Sequence, residues 1–155
     1  MSLNRMVAIA LVVAVLSGCA KVLVKADTDP NADLSKLTSF YVRKSETDKR
    51  DLAEKIAAQL KKYGYRVVSA EAAQNRQTAD AVVTYVDRWV WDMTTYMLEL
   101  NVQFRDPDTD FVFASGTSYR TSLARKPPEY MIEEVLSKML GRPFPSDSGH
   151  SGNGE

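Results

Sequence analysis

Cysteine and histidine each occur once in the 155 residues, and the 20 basic residues equal the 20 acidic ones in number. A single cysteine excludes an internal disulfide, and a single histidine leaves no His/Cys set able to hold a zinc ion. No long block of one charge sign is present, which argues against a nucleic-acid partner. We therefore expect no catalytic, cofactor-binding or metal-binding residues, and we predict that the protein is not an enzyme.

Two aspartate clusters, at residues 27–33 and 106–110, superficially resemble calcium-binding loops. Such a loop needs a glycine at its sixth position and a bidentate glutamate at its twelfth. Here Ala32 and Phe111 stand at the glycine position, and Thr38 and Thr117 at that of the glutamate. Both clusters are therefore predicted to be solvated turns.

The longest apolar run lies at the N-terminus and spans residues 6–16. As a helix it would rise about 16 Å, against a hydrocarbon core of roughly 30 Å, so a permanent transmembrane span is not expected. One cation, Arg5, precedes the run, and small residues follow it, which is the layout of a secretory signal. We predict a signal peptide over residues 1–18.

Leu16-Ser17-Gly18-Cys19 closes this run and resembles the lipobox of bacterial lipoproteins. The resemblance implies cleavage before Cys19, attachment of a diacylglyceryl group to its thiol, and acylation of the new amine. With two or more acyl chains, membrane binding is almost permanent. Ala20 follows in place of an aspartate, which in enteric-type lipoproteins implies sorting to the outer membrane. We expect a lipid anchor there, with the protein facing the periplasm.

The mature chain is long enough for one compact domain. We predict a lipidated N-terminus with a first strand and a turn-rich tether over residues 19–35, a folded domain over 36–141, and a disordered tail over 142–155. Apolar residues at helical spacing predict one amphipathic helix between Asp48 and Tyr63 and another that starts at Pro127. Ser45 or Thr47 is expected to cap the first helix.

Two β-rich runs between Asp80 and Phe104 predict a hairpin whose four-residue loop is 92–95. In that register Val83 pairs with Phe104, and both tryptophans, Trp89 and Trp91, face the core. Asp87 lies on the same face, so it must be hydrogen-bonded or ion-paired if it is buried.

A second hairpin follows, and its register is open because a slip of one residue inverts every side chain. A loop over 106–110 turns the aromatic side chains of the last strand outward, whereas a loop over 107–110 turns them inward and exposes Ala114 and Gly116 instead. The first register predicts an apolar patch of the kind that binds partners. The residues of this candidate interface are Val82, Val86, Val90, Met97, Phe111 and Phe113.

The segment 27–40, with its Asp27-x-Asp29-Pro30-x-Ala32-Asp33-Leu34-Ser35 run and Thr38-x-Phe40, resembles a bacterial lipoprotein family known only as a domain of unknown function. The helix-to-glycine passage 56–65 and the Ala-Asp-rich lead 79–83 carry the same likeness. The resemblance implies an α/β sandwich beneath the outer membrane. It implies no catalytic residues.

These observations predict an α/β (α+β) fold, in which a mixed, mainly antiparallel sheet carries two helices packed on one face. The first function hypothesis is a non-enzymatic envelope component that assembles with a protein partner or as a homo-oligomer through its sheet. The alternative is a binding or carrier module for a lipid or glycan, which needs an apolar pocket between sheet and helices.

Overall fold

A computed structural model describes residues 20–74 and 79–144. The predicted signal peptide, Cys19 and most of the predicted tail lie outside these residues. The strands are β1 (Val22–Thr28), β2 (Ser39–Val42), β3 (Arg66–Val68), β4 (Ala81–Asp92), β5 (Thr94–Arg105) and β6 (Val112–Arg120). The helices are α1 (Leu52–Lys62), α2 (Ala70–Gln74) and α3 (Pro128–Met139), with short 3-10 turns at Leu34–Lys36 and Ser122–Ala124.

One sheet of six strands, in the order β1-β6-β5-β4-β2-β3, organises the molecule. Strand β2 runs parallel to both of its neighbours, and the other pairings are antiparallel. Helices α1 and α3 contact each other and pack on one face of the sheet. The predicted α+β fold is confirmed, and the short helix α2 follows β3.

The helical periodicity correctly identified the apolar residues that both long helices bury in the core. Leu52, Ile56 and Leu60 of α1 have no exposed surface, and they pack against sheet residues such as Phe40 and Phe104. Met131, Ile132, Val135, Leu136 and Met139 of α3 complete the core.

Helix α1 begins differently from the prediction, which placed its cap at Ser45 or Thr47. The carboxylate of Asp48 accepts hydrogen bonds from the backbone N–H groups of Leu52 (3.2 Å) and Ala53 (3.0 Å), and Tyr85 donates its hydroxyl proton to it at 2.6 Å. The cap prediction was wrong because Asp51 adopts a left-handed conformation (φ 57°), which folds Asp48 back over the first turn. Burial raises the pKa of Asp48, but these hydrogen bonds outweigh it, so its pKa lies well below the usual range.

The β4–β5 hairpin keeps the predicted register from Val83/Phe104 to Arg88/Glu99, and then shifts at a bulge. Beyond the bulge Trp89 pairs with Met97, and Asp92 pairs with Thr94 around a turn at Met93 (φ 58°). The predicted loop 92–95 is therefore wrong. The bulge adds a residue to β5 and thereby rotates Met97 into the core.

The second hairpin follows neither predicted register along its whole length. It begins with the four-residue loop, since Asp106 donates its backbone N–H to the carbonyl of Phe111, and Arg105 pairs with Val112. A bulge then changes the pairing, so that Phe104 pairs with Ala114. From this point Ala114, Gly116 and Ser118 face the helices, as the five-residue loop had predicted.

One charge pair is buried between β6 and α3. Arg120 and Glu134 are 5% and 6% exposed, and the Arg120 guanidinium donates hydrogen bonds to both carboxylate oxygens. Ser118 donates a third hydrogen bond to Glu134 at 2.6 Å. The spacing of the apolar residues in α3 favours the polar side of the helix for Glu134, but the structure buries this residue against the end of the sheet.

Replacing Glu134 with Gln should destabilise the fold by about 3–5 kcal/mol, because it leaves the Arg120 charge buried without its counter-ion. Denaturant unfolding measures this loss. Glu133→Gln, at a half-buried neighbouring position, is the matched control and should change stability little. A Glu134→Gln variant as stable as the control would contradict a structural role for the pair.

Candidate functional site

The six residues predicted to form a partner interface do not form one apolar patch. We call the side of the sheet that α1 and α3 leave uncovered the outward face. Val86 lies on it and is 68% exposed, whereas Val82 is only 6% exposed, and Val90 is half-buried. Met97 is 1% exposed and belongs to the core, so its predicted outward position was wrong.

The two phenylalanines of the predicted interface also differ in their exposure to solvent. Phe111 is 55% exposed and lies in the β5–β6 loop. Phe113 is turned towards the core by the bulge, and its ring centroid lies 6.5 Å from that of Phe104. Val86 and Phe111 are thus the two members that the folded chain exposes by more than half.

The outward face carries a polar network in place of the expected apolar surface. Arg105 donates hydrogen bonds to Thr84 (3.1 Å) and Gln103 (2.6 Å), which bridges β4 and β5. Thr117 of β6 donates to Asn101 of β5 at 2.6 Å. These bonds satisfy the polar side chains within the sheet, so the face presents a fixed polar surface around Val86.

A surface groove of about 490 Å³ lies at the end of the molecule formed by the loops after β1 and β5. Its lining combines carboxylates with apolar side chains, namely Asp29, Asp33, Asp80, Asp106, Leu34, Leu37, Phe111 and Phe113. Asp33 accepts hydrogen bonds from Ser35, and Asp106 from Thr109, as expected for turns. Within the described ranges no group of three or more His, Cys, Asp or Glu residues could hold a metal ion.

Asp80 links the start of β2 to the start of β4 by hydrogen bonds at the edge of this groove. One of its carboxylate oxygens accepts hydrogen bonds from the backbone N–H and the hydroxyl of both Thr38 and Ser39, at 2.7–3.0 Å. The bonds from Thr38, followed by those from Ser39, lower the pKa of Asp80 from 3.8 to about 2, although burial acts in the opposite direction. Asp80 therefore remains ionised at neutral pH and has a structural role.

The half-buried Asp87 has the hydrogen-bond partner that its position on the core face required. It accepts a hydrogen bond from the indole nitrogen of Trp89. The guanidinium of Arg50 lies over the face of the Trp89 ring, 4.1 Å from its centre. The sequence did not indicate the contact with Arg50, because 39 positions separate the two residues.

The most exposed apolar residues gather at the opposite end from the groove, and the sequence analysis missed them. Trp91 is 77% exposed, Met93 is 84% exposed and Leu123 is 71% exposed. We call these three residues the apolar tip. The prediction that Trp91 belongs to the core was wrong, because β4 and β5 extend past the part of the sheet that the helices cover. In the sequence, a tryptophan and a methionine next to a turn were the features that could have indicated this exposed cluster.

The fold and these surfaces define a small α+β protein with one helix-covered and one open sheet face. No family model and no curated protein sequence matches this chain. The solved structures that share its fold include a PelC dodecamer from Paraburkholderia phytofirmans and a point variant of that dodecamer. The first is 16% identical with a TM-score of 0.53, and covers 80% of this chain and 100% of its own. The second is 18% identical with a TM-score of 0.56, and covers 77% and 99%.

In residues 20–74 and 79–144, each helix is too short or too polar to cross a bilayer.

Asp80→Asn should make the stability of the fold less dependent on acid. The folded-state pKa of Asp80 is depressed to about 2 from 3.8, so its contribution is present above pH 3.8 and is lost as the pH falls towards 2. Thermal unfolding between these pH values should show a shallower slope for Asp80→Asn than for the unaltered protein. Equal slopes would contradict the hydrogen-bonding role of Asp80.

Proposed function

We propose that the protein is a non-enzymatic component of the bacterial cell envelope, held at the outer membrane by acyl chains on Cys19 and facing the periplasm. The lipobox-like segment 16–19 carries this proposal. Only Ala20 and Lys21 separate Cys19 from β1, which is hydrogen-bonded to β6 along its length. The acyl chains would thus hold the folded domain close to the membrane surface, without a long flexible linker.

Self-assembly through the sheet is the second part of the proposal, and a further copy of this chain is the partner we infer. The outward face offers a broad surface that no helix covers, and β1 forms one edge of the sheet. Proteins of the same fold exist as dodecamers, which supports an oligomer here. Because the outward face is polar and internally hydrogen-bonded, complementary polar contacts around Val86 would carry the association.

The hydrogen bonds of four aspartate carboxylates support a structural role for those residues. Those of Asp33, Asp48, Asp80 and Asp106 accept hydrogen bonds from neighbouring backbone or hydroxyl groups. Carboxylates held ionised in this way lack the raised pKa of a general acid. This is consistent with the proposed non-enzymatic role.

Mass spectrometry of the protein purified from bacterial membranes tests the anchor. The mature chain is expected to begin at Cys19 and to carry fatty acid on that residue, and Cys19→Ala should abolish both the modification and membrane retention. An unmodified chain that retains residues 1–18 would disprove the anchor.

The oligomeric state of the full chain in detergent tests the assembly. The unaltered protein should sediment as an oligomer, and Val86→Glu should shift it towards monomer, because the new charges would meet on the associating faces. Ala58→Glu places the same charge on the exposed side of α1 and should leave the oligomer intact. A strict monomer at high concentration would contradict self-assembly.

One specific observation favours the alternative hypothesis of a binding module. It is the groove lined by carboxylates and by four apolar residues, Leu34, Leu37, Phe111 and Phe113. It is an open surface groove, whereas the expected carrier pocket would lie between sheet and helices. Saturable binding of a lipid or glycan to a monomeric protein, abolished by Phe111→Glu, would favour this second function over assembly.

A further inference from the structure

The apolar tip combines two separate segments of the chain. Trp91 and Met93 belong to the β4–β5 turn, and Leu123 belongs to the 3-10 turn after β6. Each exposes more than two thirds of its surface, which places three large apolar side chains in water at one end of the molecule. Exposed apolar residues that cluster in this way mark contact surfaces more often than scattered ones do.

The two segments are held together by Arg125. Its guanidinium donates hydrogen bonds to the hydroxyl of Thr94 (2.8 Å) and the carbonyl of Asp92 (3.4 Å), and lies 5.6 Å from the centre of the Tyr96 ring. Leu123 is two residues from Arg125 and is therefore brought beside the turn at Met93. Arg125 thus links the two segments that carry the apolar tip.

The N-terminus of the described chain lies at the same end. Lys21 and Thr121 are joined by two hydrogen bonds. The backbone N–H of Lys21 donates to the Thr121 hydroxyl (2.8 Å), and the backbone N–H of Thr121 donates to the Lys21 carbonyl (3.1 Å). In the sequence, Thr121 precedes Leu123 by two residues, and Arg125 follows Leu123 by two residues. Cys19 is two residues before Lys21, and two residues span at most about 7 Å. Acyl chains on Cys19 would therefore enter a bilayer close to the apolar tip.

We propose that the apolar tip is a membrane-contact surface that inserts into the interfacial layer of the same leaflet that holds the acyl chains. This proposal rests on the lipid anchor of the proposed function and adds a second, proteinaceous contact. Tryptophan favours the headgroup level of bilayers, where its ring is partly apolar and its N–H remains hydrated. The exposed basic residues Lys21 and Arg125 belong to the same end, and their charges suit anionic headgroups.

Insertion of the tip would fix the orientation of the domain. An acyl tether alone permits rotation of the protein about the anchor. With the tip inserted, β4 and β5 stand away from the membrane, and the groove with Phe111 points into the aqueous compartment. The sheet edges and the outward face then remain accessible to other copies, at a constant distance from the membrane surface.

Tryptophan fluorescence of the full, lipidated chain in phosphatidylethanolamine–phosphatidylglycerol vesicles tests the proposal. The protein has two tryptophans, so Trp89→Phe leaves Trp91 as the reporter. Its emission should shift to shorter wavelength in vesicles and should be quenched by lipids brominated on their acyl chains. The control Trp89→Phe/Trp91→Phe/Phe111→Trp carries the reporter at the opposite end, and it should show neither effect.

The outcomes separate this proposal from the anchor, provided that fatty acid on Cys19 is measured on the same samples. Lipidated, vesicle-bound protein with quenched Trp91 supports both. Lipidated protein whose Trp91 stays accessible to acrylamide overturns the tip contact alone, as does shielding of Trp91 that already occurs in the Cys19→Ala protein in buffer without lipid or detergent. Protein without fatty acid that still binds vesicles with Trp91 quenched overturns the anchor alone. Protein without fatty acid that stays in the aqueous phase overturns both.

Discussion

Arg120 and Glu134 lose nearly all contact with water when β6 and α3 come together, and each compensates the charge of the other. Burial of either charge alone would cost several kcal/mol, so the pair makes the position of α3 on the sheet nearly obligatory. The same guanidinium donates a hydrogen bond to the carbonyl of Ala124 at 3.3 Å. The pair therefore also fixes the turn that links the N-terminus, through Thr121, to the β4–β5 turn, through Arg125.

The two ends of the molecule differ in a way that follows from this arrangement. At one end, exposed apolar and basic residues surround the start of the described chain. At the other, turn aspartates accept hydrogen bonds from their own loops and frame a groove of about 490 Å³. Between the ends, the outward face carries a polar network across β4, β5 and β6. This difference between the two ends supports the proposal that the domain is held at a membrane and contacts other copies through its sheet.

Periodicity in the sequence was sufficient to predict the fold class, both long helices and the register of the β4–β5 hairpin around Val83 and Phe104. It failed at the two bulges, because an extra residue in one strand leaves no mark in an alternating pattern. Met97 was therefore assigned to the wrong face, and Phe113 turned inward at its bulge. Glu134 was misplaced because its burial depends on Arg120, a partner 14 positions away. The apolar tip was missed because alternation fixes the face of Trp91 but not where the covering helices end.

Amide hydrogen exchange, compared between the lipidated full chain in bilayers and the Cys19→Ala protein in buffer without lipid or detergent, tests most directly whether one end of the molecule meets the membrane. Exchange is expected to be slower in bilayers at residues 90–96 and 121–125, and unchanged in the loop 106–111. Protection of the loop 106–111, or identical exchange at residues 90–96 and 121–125 in both samples, would contradict this expectation.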